Sequence, residues 1–302
     1  MKKLVSLLLA ALLVLSVASC ALAEEKKTVV IGATPSPHQE VLELIKDDMA
    51  ALGYDLEIIT FTEYPLPNPA LADKQLDANY FQHLPYLNAY NATVSDDEKL
   101  VPVIGVHYEP YGIYAGKTKT LEDLADGAVV AVTNDPSNET RALLLLQEAG
   151  LIKLPEDATV DSSLTVLDVV ENPKNLDIKE VDANLLPTML EDVDIAVING
   201  NFALDAGLSP AKDAIFLEAA DSEAGKTYTN YVVVRQEDVD ADWVEALRTC
   251  LCSQKVYDFM LNNEAYAGGV IPAFTVEESA DKAAKVFKDK GVQNVVITLG
   301  SR

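Results

Sequence analysis

The chain has 302 residues, and its 23 Lys and Arg residues are outnumbered by 48 Asp and Glu, so the formal net charge is −25. This balance excludes an electrostatic nucleic-acid binder, whose affinity for phosphate comes mainly from Lys and Arg, and it disfavours adhesion to an anionic membrane through protein charge. The hydrophobic fraction of 49% excludes wholesale disorder. A chain of this length buries a substantial core, usually in about two domains.

Residues 1–20 have the order of a signal peptide. Lys2 and Lys3 precede an apolar run that is shorter than the roughly 20 residues of a membrane-spanning helix, and small residues follow it. The sequence before Cys20 resembles a lipobox, in which the cysteine receives fatty acyl chains such as palmitate and becomes the first residue. Cleavage after Ala23 by ordinary signal peptidase is the alternative. We expect lipidation at Cys20, which anchors the protein to the extracytoplasmic face of the cell membrane.

Strand and helix patterns alternate along the rest of the chain. Runs rich in β-branched or apolar residues predict strands at 28–33, 56–61, 128–132, 194–198 and 231–235. A further strand is predicted at 177–181, and an interrupted strand-like stretch lies at 99–114. Helical spacing of apolar residues predicts helices at 38–52, 137–151, 184–190 and 242–262. Repeated β-α-β units indicate an α/β protein with open, mainly parallel sheets and helices on both faces.

Two segments break the β-α series. Residues 108–116 contain a proline, two glycines and three tyrosines, and a second divide is expected near 225–230. Two crossings imply two lobes, one from 28–110 with 229–302 and the other from 111–228. Ligands of such sheets bind beyond the carboxyl ends of strands, and a cleft between lobes is a favoured place.

A polar run leads from one predicted strand into a helix. Within Asn134–Asn138, Ser137 is a good N-cap, and free backbone N–H groups at a helix start attract an anion. Arg141, one turn into the helix, adds a forked donor suited to a carboxylate. The alternative is that Arg141 pairs with one of the many surface acids.

Aromatic and amide side chains supply further candidates for a binding site. Flat rings can sandwich an apolar ligand group or form ordinary core, and the rings in question are Phe61, Tyr64, Tyr80, Phe81, His83 and Tyr86. Asn199 and Asn230 adjoin predicted strands. An amide can meet either end of a zwitterion, although turn chemistry is the alternative.

Signatures of catalysis and of metal binding are missing from the sequence. It contains no G-x-S-x-G, H-E-x-x-H or G-x-G-x-x-G motif, which disfavours an enzyme or a nucleotide cofactor. The histidines at 38, 83 and 107 are scattered, which disfavours a metal site. Cys250 and Cys252 lie two apart in a predicted helix, so we expect them to face different sides as small core residues. We therefore predict no enzyme, no cofactor and no metal.

Five runs, in order, resemble the NlpA-type lipoproteins, the methionine-binding proteins of ABC importers. The likeness covers about residues 28–274, and the runs are 64–68, 77–86, 134–138 with Arg141, 167–176 and 196–199. The resemblance implies a two-lobed periplasmic-binding-protein fold, type II-like, with L-methionine or a close relative held between the lobes. It implies that Arg141 pairs with the ligand carboxylate, that Asn138, Asn199 and Asn230 are polar contacts, and that the aromatic region supplies the side-chain pocket.

The resemblance also implies partners, namely an ABC permease with its ATPase, for a monomer that binds no nucleic acid. The alternatives are the same fold with another apolar amino acid or a short Met-containing peptide, and less readily a metal-binding importer component or an enzyme. Glu109 can accept a ligand ammonium or sit in the hinge, and we favour the hinge. Relatives generally finish near 271–274, so we expect the 275–302 tail to form a helix and a strand that dock on the first lobe.

Overall fold

The structure is a computed structural model that describes residues 26–219 and 227–276. The signal peptide, Cys20 and the predicted helix and strand of the tail lie outside these residues. Within the described ranges, no helix has both the length and the apolar character needed to cross a membrane.

Six strands form the first sheet. Their bounds are β1 Lys27–Ala33, β2 Tyr54–Thr60, β3 Ala78–His83, β4 Leu100–Tyr108, β10 Thr229–Arg235 and β11 Ile271–Pro272. The strand order is β11-β4-β10-β3-β1-β2. β1 runs parallel to β2 and β3, whereas β10 is antiparallel to β3 and β4, and β11 is antiparallel to β4. β3 is buried along its whole length, which makes it the floor on which the site is built.

Five strands form the second sheet. Their bounds are β5 Gly112–Ala115, β6 Val129–Thr133, β7 Asp177–Val181, β8 Ile195–Ile198 and β9 Ala214–Leu217. The order is β7-β6-β8-β5-β9, with β6 parallel to β7 and β8, and β5 antiparallel to β8 and β9. The expectation of two α/β sheets is confirmed, but the sheets are mixed rather than mainly parallel. The antiparallel pairs all involve strands next to a crossing or at the end of the described chain, outside the β-α-β units.

The helices flank the two sheets. Their bounds are α1 Glu40–Leu44, α2 Lys46–Ala51, α3 Pro67–Ala72, α4 Leu84–Asn91, α5 Pro136–Glu148, α6 Gly200–Asp205, α7 Pro210–Asp213, α8 Asp242–Leu251 and α9 Gln254–Asn262. A π-helical turn at Pro35–Gln39 precedes α1, and 3₁₀ turns lie at Val166–Asp168, Ala183–Glu191, Gln236–Asp238 and Glu264–Tyr266.

Two predicted helices are divided in the structure. The helix predicted over 38–52 is a π-helical turn followed by two short helices, and the helix predicted over 242–262 ends at Leu251 and restarts after Ser253, which caps α9. Cys252 leaves helical geometry, with ψ at 35°. Both cysteines lie in the same apolar core, and their assignment as core residues agrees with their burial.

The chain passes twice between the sheets. β4 leads into β5 through residues 109–111, and β9 leads into β10 through residues 218–228, of which 220–226 lie outside the described residues. These positions agree with the two predicted divides. One apolar cluster joins the two halves, since it contains Tyr64 and Phe81 beside Ile198 and Phe202. The strands before the first and after the second crossing belong to the first sheet, although the lobe boundaries themselves stay a prediction.

Gly116 allows a close approach of backbone at the end of β5. A Cβ atom at this position would lie 2.3 Å from the carbonyl oxygen of Val193 and 2.6 Å from that of Leu190. Because backbone cannot yield cheaply, we expect Gly116→Ala to lower the free energy of unfolding by about 1–3 kcal/mol in urea titrations. The matched control is Gly105→Ala, whose Cβ would meet only side-chain atoms of Tyr231 and Thr229 at 3.2 and 3.4 Å. Equal losses in the two variants would contradict this account.

Candidate functional site

A cavity lies between the two sheets, and the empty space along its lining amounts to about 350 Å³ when the part open to solvent is included. Its lining combines residues of the first-sheet half, the second-sheet half and the crossing between them. The lining residues are Tyr64, Phe81, Gln82, His83, Tyr86, Glu109, Asn138, Arg141, Asn199, Gly200, Asn201 and Asn230. Eight of the ten residues proposed from the sequence are among them: Arg141, Asn138, Asn199, Asn230, Tyr64, Phe81, His83 and Tyr86.

The structure does not bring the remaining two proposed residues, Phe61 and Tyr80, into this lining. Phe61 packs in the first-sheet half with Leu76, where its ring lies over Gly32. Tyr80 is fully buried, and its hydroxyl lies 2.5 Å from Nδ1 of His107. Successive side chains of a strand point to opposite faces, so Tyr80 enters the core while Phe81 faces the cavity.

The turn between β6 and α5 positions the amide of Asn138. Asp135, not Ser137 as predicted, is the N-cap of α5, since its Oδ1 accepts the backbone N–H of Asn138 at 3.0 Å. Asp135 also accepts from Nδ2 of Asn138 at 2.9 Å, which turns Oδ1 of Asn138 toward the cavity. That oxygen accepts from Nδ2 of Asn199 at 3.0 Å and from Nε2 of His83 at 2.9 Å. The expected anion site at this helix start is thus already filled by Asp135.

His83 carries one fixed tautomer in this network. Its Nε2 donates to Asn138, and its Nδ1 accepts the backbone N–H of Tyr86 at 3.2 Å. Burial, reinforced by the charge of Arg141, lowers the pKa of His83 to about 3. The imidazole is therefore neutral at neutral pH and bridges the first-sheet half to Asn138 of the second.

Arg141 is buried and already paired. Its Nε donates to Oε1 of Glu218 at 3.2 Å, and its Nη2 donates to Oε2 of Glu218 and, at 2.8 Å, to the backbone oxygen of Glu109. Its guanidinium carbon lies 4.0 Å from the ring centroid of Tyr228. The partner is a buried acid and not one of the surface acids weighed in the sequence. A ligand carboxylate would therefore meet the Nη1 edge of the guanidinium or displace Glu218.

Glu218 ties Arg141 to both crossings between the sheets. It accepts the hydroxyl of Tyr108 at 2.5 Å and the backbone N–H of Tyr111 at 3.1 Å. Burial alone would raise the pKa of this carboxyl, but the charge and hydrogen bonds of Arg141 hold it below its usual value. Glu218 stays ionised at neutral pH and keeps the buried guanidinium compensated.

Glu109 supplies the acidic group of the cavity. Its Oε1 accepts from Nε2 of His107 at 2.7 Å and lies 3.6 Å from Nε2 of His38, and its carboxylate also accepts the backbone N–H of Asn201. Burial raises its pKa, against the opposing effects of His38, this backbone bond and Arg141. Glu109 lies in the first crossing, as favoured from the sequence, and also lines the cavity.

Aromatic rings form the apolar wall of the cavity. The ring of Tyr64 lies 4.8 Å from Phe202, 5.6 Å from Tyr86 and 5.9 Å from Phe81, measured between centroids. The Tyr64 hydroxyl donates to Oδ1 of Asn201 at 2.5 Å, so this wall is also bound to the second-sheet half. The cavity thus joins a cation, an anion and amides to an aromatic surface.

Sequence reasoning missed several residues of the site. Gln82 and Asn201 stand inside or beside runs that the sequence had singled out, so their neighbours were the available signal. Phe202 follows Asn201 directly. Glu218 had no signal, because its partner Arg141 lies far away in the chain and only the fold brings them together.

His83 gives the site a pH-dependent stability. The unfolded histidine has a pKa near 6.5 and the folded one near 3, so the unfolded state binds the proton first as the pH falls. Stability is complete above the unfolded pKa and declines toward the folded one, by about 1.4 kcal/mol per pH unit for each such histidine. We expect His83→Gln to decrease the slope of unfolding free energy against pH by about 1.4 kcal/mol per pH unit, which corresponds to one proton. Urea unfolding between pH 6 and pH 4.5 measures this slope. An unchanged slope would contradict the assignment.

Comparisons with known proteins extend over the cavity and both sheets. The family model described as NlpA lipoprotein matches residues 29–274. The D-methionine-binding lipoprotein MetQ of Escherichia coli (strain K12) is 42% identical over 248 residues, or 82% of this chain and 87% of that protein. A Burkholderia cenocepacia nutrient-binding protein, solved bound to methionine, has a TM-score of 0.76 and 42% identity, covering 82% of this chain and 100% of that chain. An ABC transporter periplasmic substrate-binding protein from Coxiella burnetii has a TM-score of 0.74 and 39% identity, covering 81% and 100%.

Proposed function

The chain belongs to the NlpA lipoprotein family, and from that membership we propose that it captures methionine between its lobes and delivers it to an ABC importer. Its relatives include a methionine-bound protein and an ABC transporter substrate-binding protein. The observation that carries the proposal is a single cavity in which a buried guanidinium, a buried carboxylate and an aromatic wall meet. That combination is complementary to an amino acid zwitterion with an apolar side chain.

The three parts of the ligand have distinct places in the cavity. Arg141 is the partner of the ligand carboxylate, and Glu109 is the partner of its ammonium group. Asn199 and Asn230 complete the polar contacts, since each amide offers a donor and an acceptor. The thioether side chain lies against the aromatic wall of Tyr64 and its neighbours, where sulfur and ring make favourable contacts.

Capture proceeds by closure of the two lobes on the ligand. Hydrogen bonds already cross between the halves, from His83 to Asn138, from Tyr64 to Asn201 and from the backbone N–H of Ser36 to Asp205. A ligand that contacts residues on both sides favours the closed arrangement through its differential affinity for that state. The two crossings are the segments about which such a hinge turns.

The surroundings of the protein follow from the same proposal. A signal peptide directs export, lipidation at Cys20 anchors the mature chain to the outer face of the cell membrane, and several acyl chains give stable anchoring. The chain acts as a monomer with an ABC permease and its ATPase, and it performs no catalysis. The excess of acid maintains solubility. An intact mass of the mature N-terminus distinguishes lipidated Cys20 from cleavage after Ala23.

A second candidate is the same fold with another apolar amino acid or a short Met-containing peptide. Native mass spectrometry of ligand carried through purification separates these cases, and we expect the mass of methionine. Titration with L-methionine, D-methionine and L-alanine then ranks the ligands. Because one methylene in an apolar pocket is worth about 1–3 kcal/mol, alanine should bind far more weakly than methionine. Comparable affinities, or a protein that carries no small ligand, would contradict the proposal.

The decisive substitution is Arg141→Ala. Removing the cation from a buried ion pair costs about 3–5 kcal/mol, because the carboxylate is left buried and unpaired. We therefore expect the affinity for methionine to fall by at least about two decades in calorimetric titration of ligand-stripped protein. Thermal unfolding of each variant shows whether it folds.

The matched control is Glu218→Gln, which keeps Arg141 but removes the charge of its internal partner. If Arg141 binds the ligand carboxylate, this variant retains or strengthens binding, because no anion competes for the guanidinium. If Arg141 only holds the hinge together with Glu218, the two variants lose affinity alike. Near-unchanged affinity in Arg141→Ala would remove the assignment altogether.

A further inference from the structure

Two of the three histidines meet a carboxylate behind the wall of the cavity. One ring nitrogen of His38, one of His107 and a carboxylate oxygen of Glu109 all lie within 4.8 Å of one another, and all three residues are buried. The separations from Oε1 of Glu109 are 3.6 Å to His38 and 2.7 Å to His107. Residues that are scattered in the sequence, and that were taken there as evidence against a metal site, are thus grouped by the fold.

The outer nitrogen of each imidazole is held by a hydroxyl group. Nδ1 of His38 lies 2.8 Å from Oγ1 of Thr34, and Nδ1 of His107 lies 2.5 Å from the hydroxyl of Tyr80. These contacts direct both Nε2 atoms at the same carboxylate. A partner on the far nitrogen that fixes the ring is the usual arrangement around metal-bound histidines.

The donor set suits a divalent transition metal. Two imidazole nitrogens with one carboxylate oxygen are ligands that zinc accepts, and a structural or catalytic zinc site takes one more. Oδ1 of Asn230 lies 3.3 Å from Nε2 of His38 and is the adjacent oxygen.

Loading the site requires a change of tautomer and a closer approach of the donor atoms, since bonds of about 2.0–2.1 Å place tetrahedral donors roughly 3.3 Å apart. Each Nε2 releases its hydrogen while Nδ1 gains one, and the hydroxyl groups of Thr34 and Tyr80 turn from donors into acceptors. Arg141, a buried cation that lines the same cavity as Glu109, is compensated by Glu218 and so opposes a metal less than a free guanidinium would. Access runs through the cavity, because Glu109 and Asn230 both line it.

We propose that His38, His107 and Glu109 form a site for a divalent transition metal ion, zinc foremost, with Asn230 as the fourth donor. Glu109 and Asn230 line the ligand cavity, and the two histidines lie behind its wall. A metal ion and a ligand ammonium compete for the carboxylate of Glu109, so bound zinc weakens the binding of methionine. This second consequence rests on the proposed function, whereas the metal site itself does not.

Cobalt titration of the mature, ligand-stripped protein tests the site directly. We expect one equivalent of Co²⁺ to give visible d–d bands of a low-coordinate ion, displaced by Zn²⁺, without the thiolate charge-transfer band that Cys250 or Cys252 would produce. His38→Gln and His107→Gln should each weaken binding by at least about 100-fold, and Tyr80→Phe, which leaves every ligand in place, by about 10-fold. Asp96→Asn, which changes an exposed acid outside the cluster, is the control, and it should bind cobalt like the wild type.

The outcomes separate the site from the ligand. Absence of cobalt binding overturns the metal site. Binding that exceeds one equivalent with no saturation, or that persists in both His38→Gln and His107→Gln, overturns it too, because surface acids then account for the bound cobalt. Should a ligand variant fail to fold, Tyr80→Phe and Thr34→Val carry the test through the outer hydroxyl groups. Calorimetric titration with methionine, once with a chelator present and once with zinc present, measures the competition between zinc and methionine. Methionine binding without cobalt binding refutes only the site, and cobalt binding without methionine binding refutes only the proposed function.

Discussion

A guanidinium buried between two sheets is the constraint around which this protein is arranged. Arg141 lies away from water, and an unpaired charge in such a place costs several kcal/mol. Glu218 compensates it, and Glu218 is in turn held by Tyr108 and the backbone of Tyr111. These partners come from both crossings of the chain, so the electrostatic requirement of one side chain is met only where the two halves join. The polar end of the cavity lies at this junction.

A series of hydrogen bonds continues from this junction along the cavity. Asp135 fixes Asn138, and Asn138 in turn receives His83 from the opposite half and Asn199 from its own. Every member has a defined donor or acceptor role, so the wall presents fixed polar atoms and not a mobile set. Preorganised groups of this kind spare a ligand the cost of ordering them. Glu109 lies where this wall meets His38 and His107. The acid of the cavity therefore belongs both to the proposed position of the ligand ammonium and to the proposed metal site.

Much of the local structure could be predicted from short patterns. The strands predicted at 28–33, 128–132, 177–181 and 194–198 are present within two residues. Three of them are runs of β-branched and apolar side chains, which favour a buried strand between turns, whereas the strand at 177–181 is polar and has no buried residue. The helices fared less well. The helical spacing of apolar residues continues past Leu251, but the helix ends there and Ser253 caps a new helix. β3 was not recognised, because a strand buried on both faces carries no alternation, and β9 was too short to give a signal.

The sequence by itself determined the chemistry available to the site: an arginine at a helix start, amides at strand ends, and rings around β3, in runs ordered as in one family. Only the tertiary structure decided which of them share a cavity. Phe61 and Tyr80 have the same composition signal as Phe81, yet the strand geometry turns them elsewhere. Glu218 and the pair of His38 with His107 were invisible in sequence, since their contacts join segments that are distant along the chain. The spacing of residues determines which side chains share one face of a helix or strand. The partner of a buried charge comes from a distant segment, so only the fold determines it.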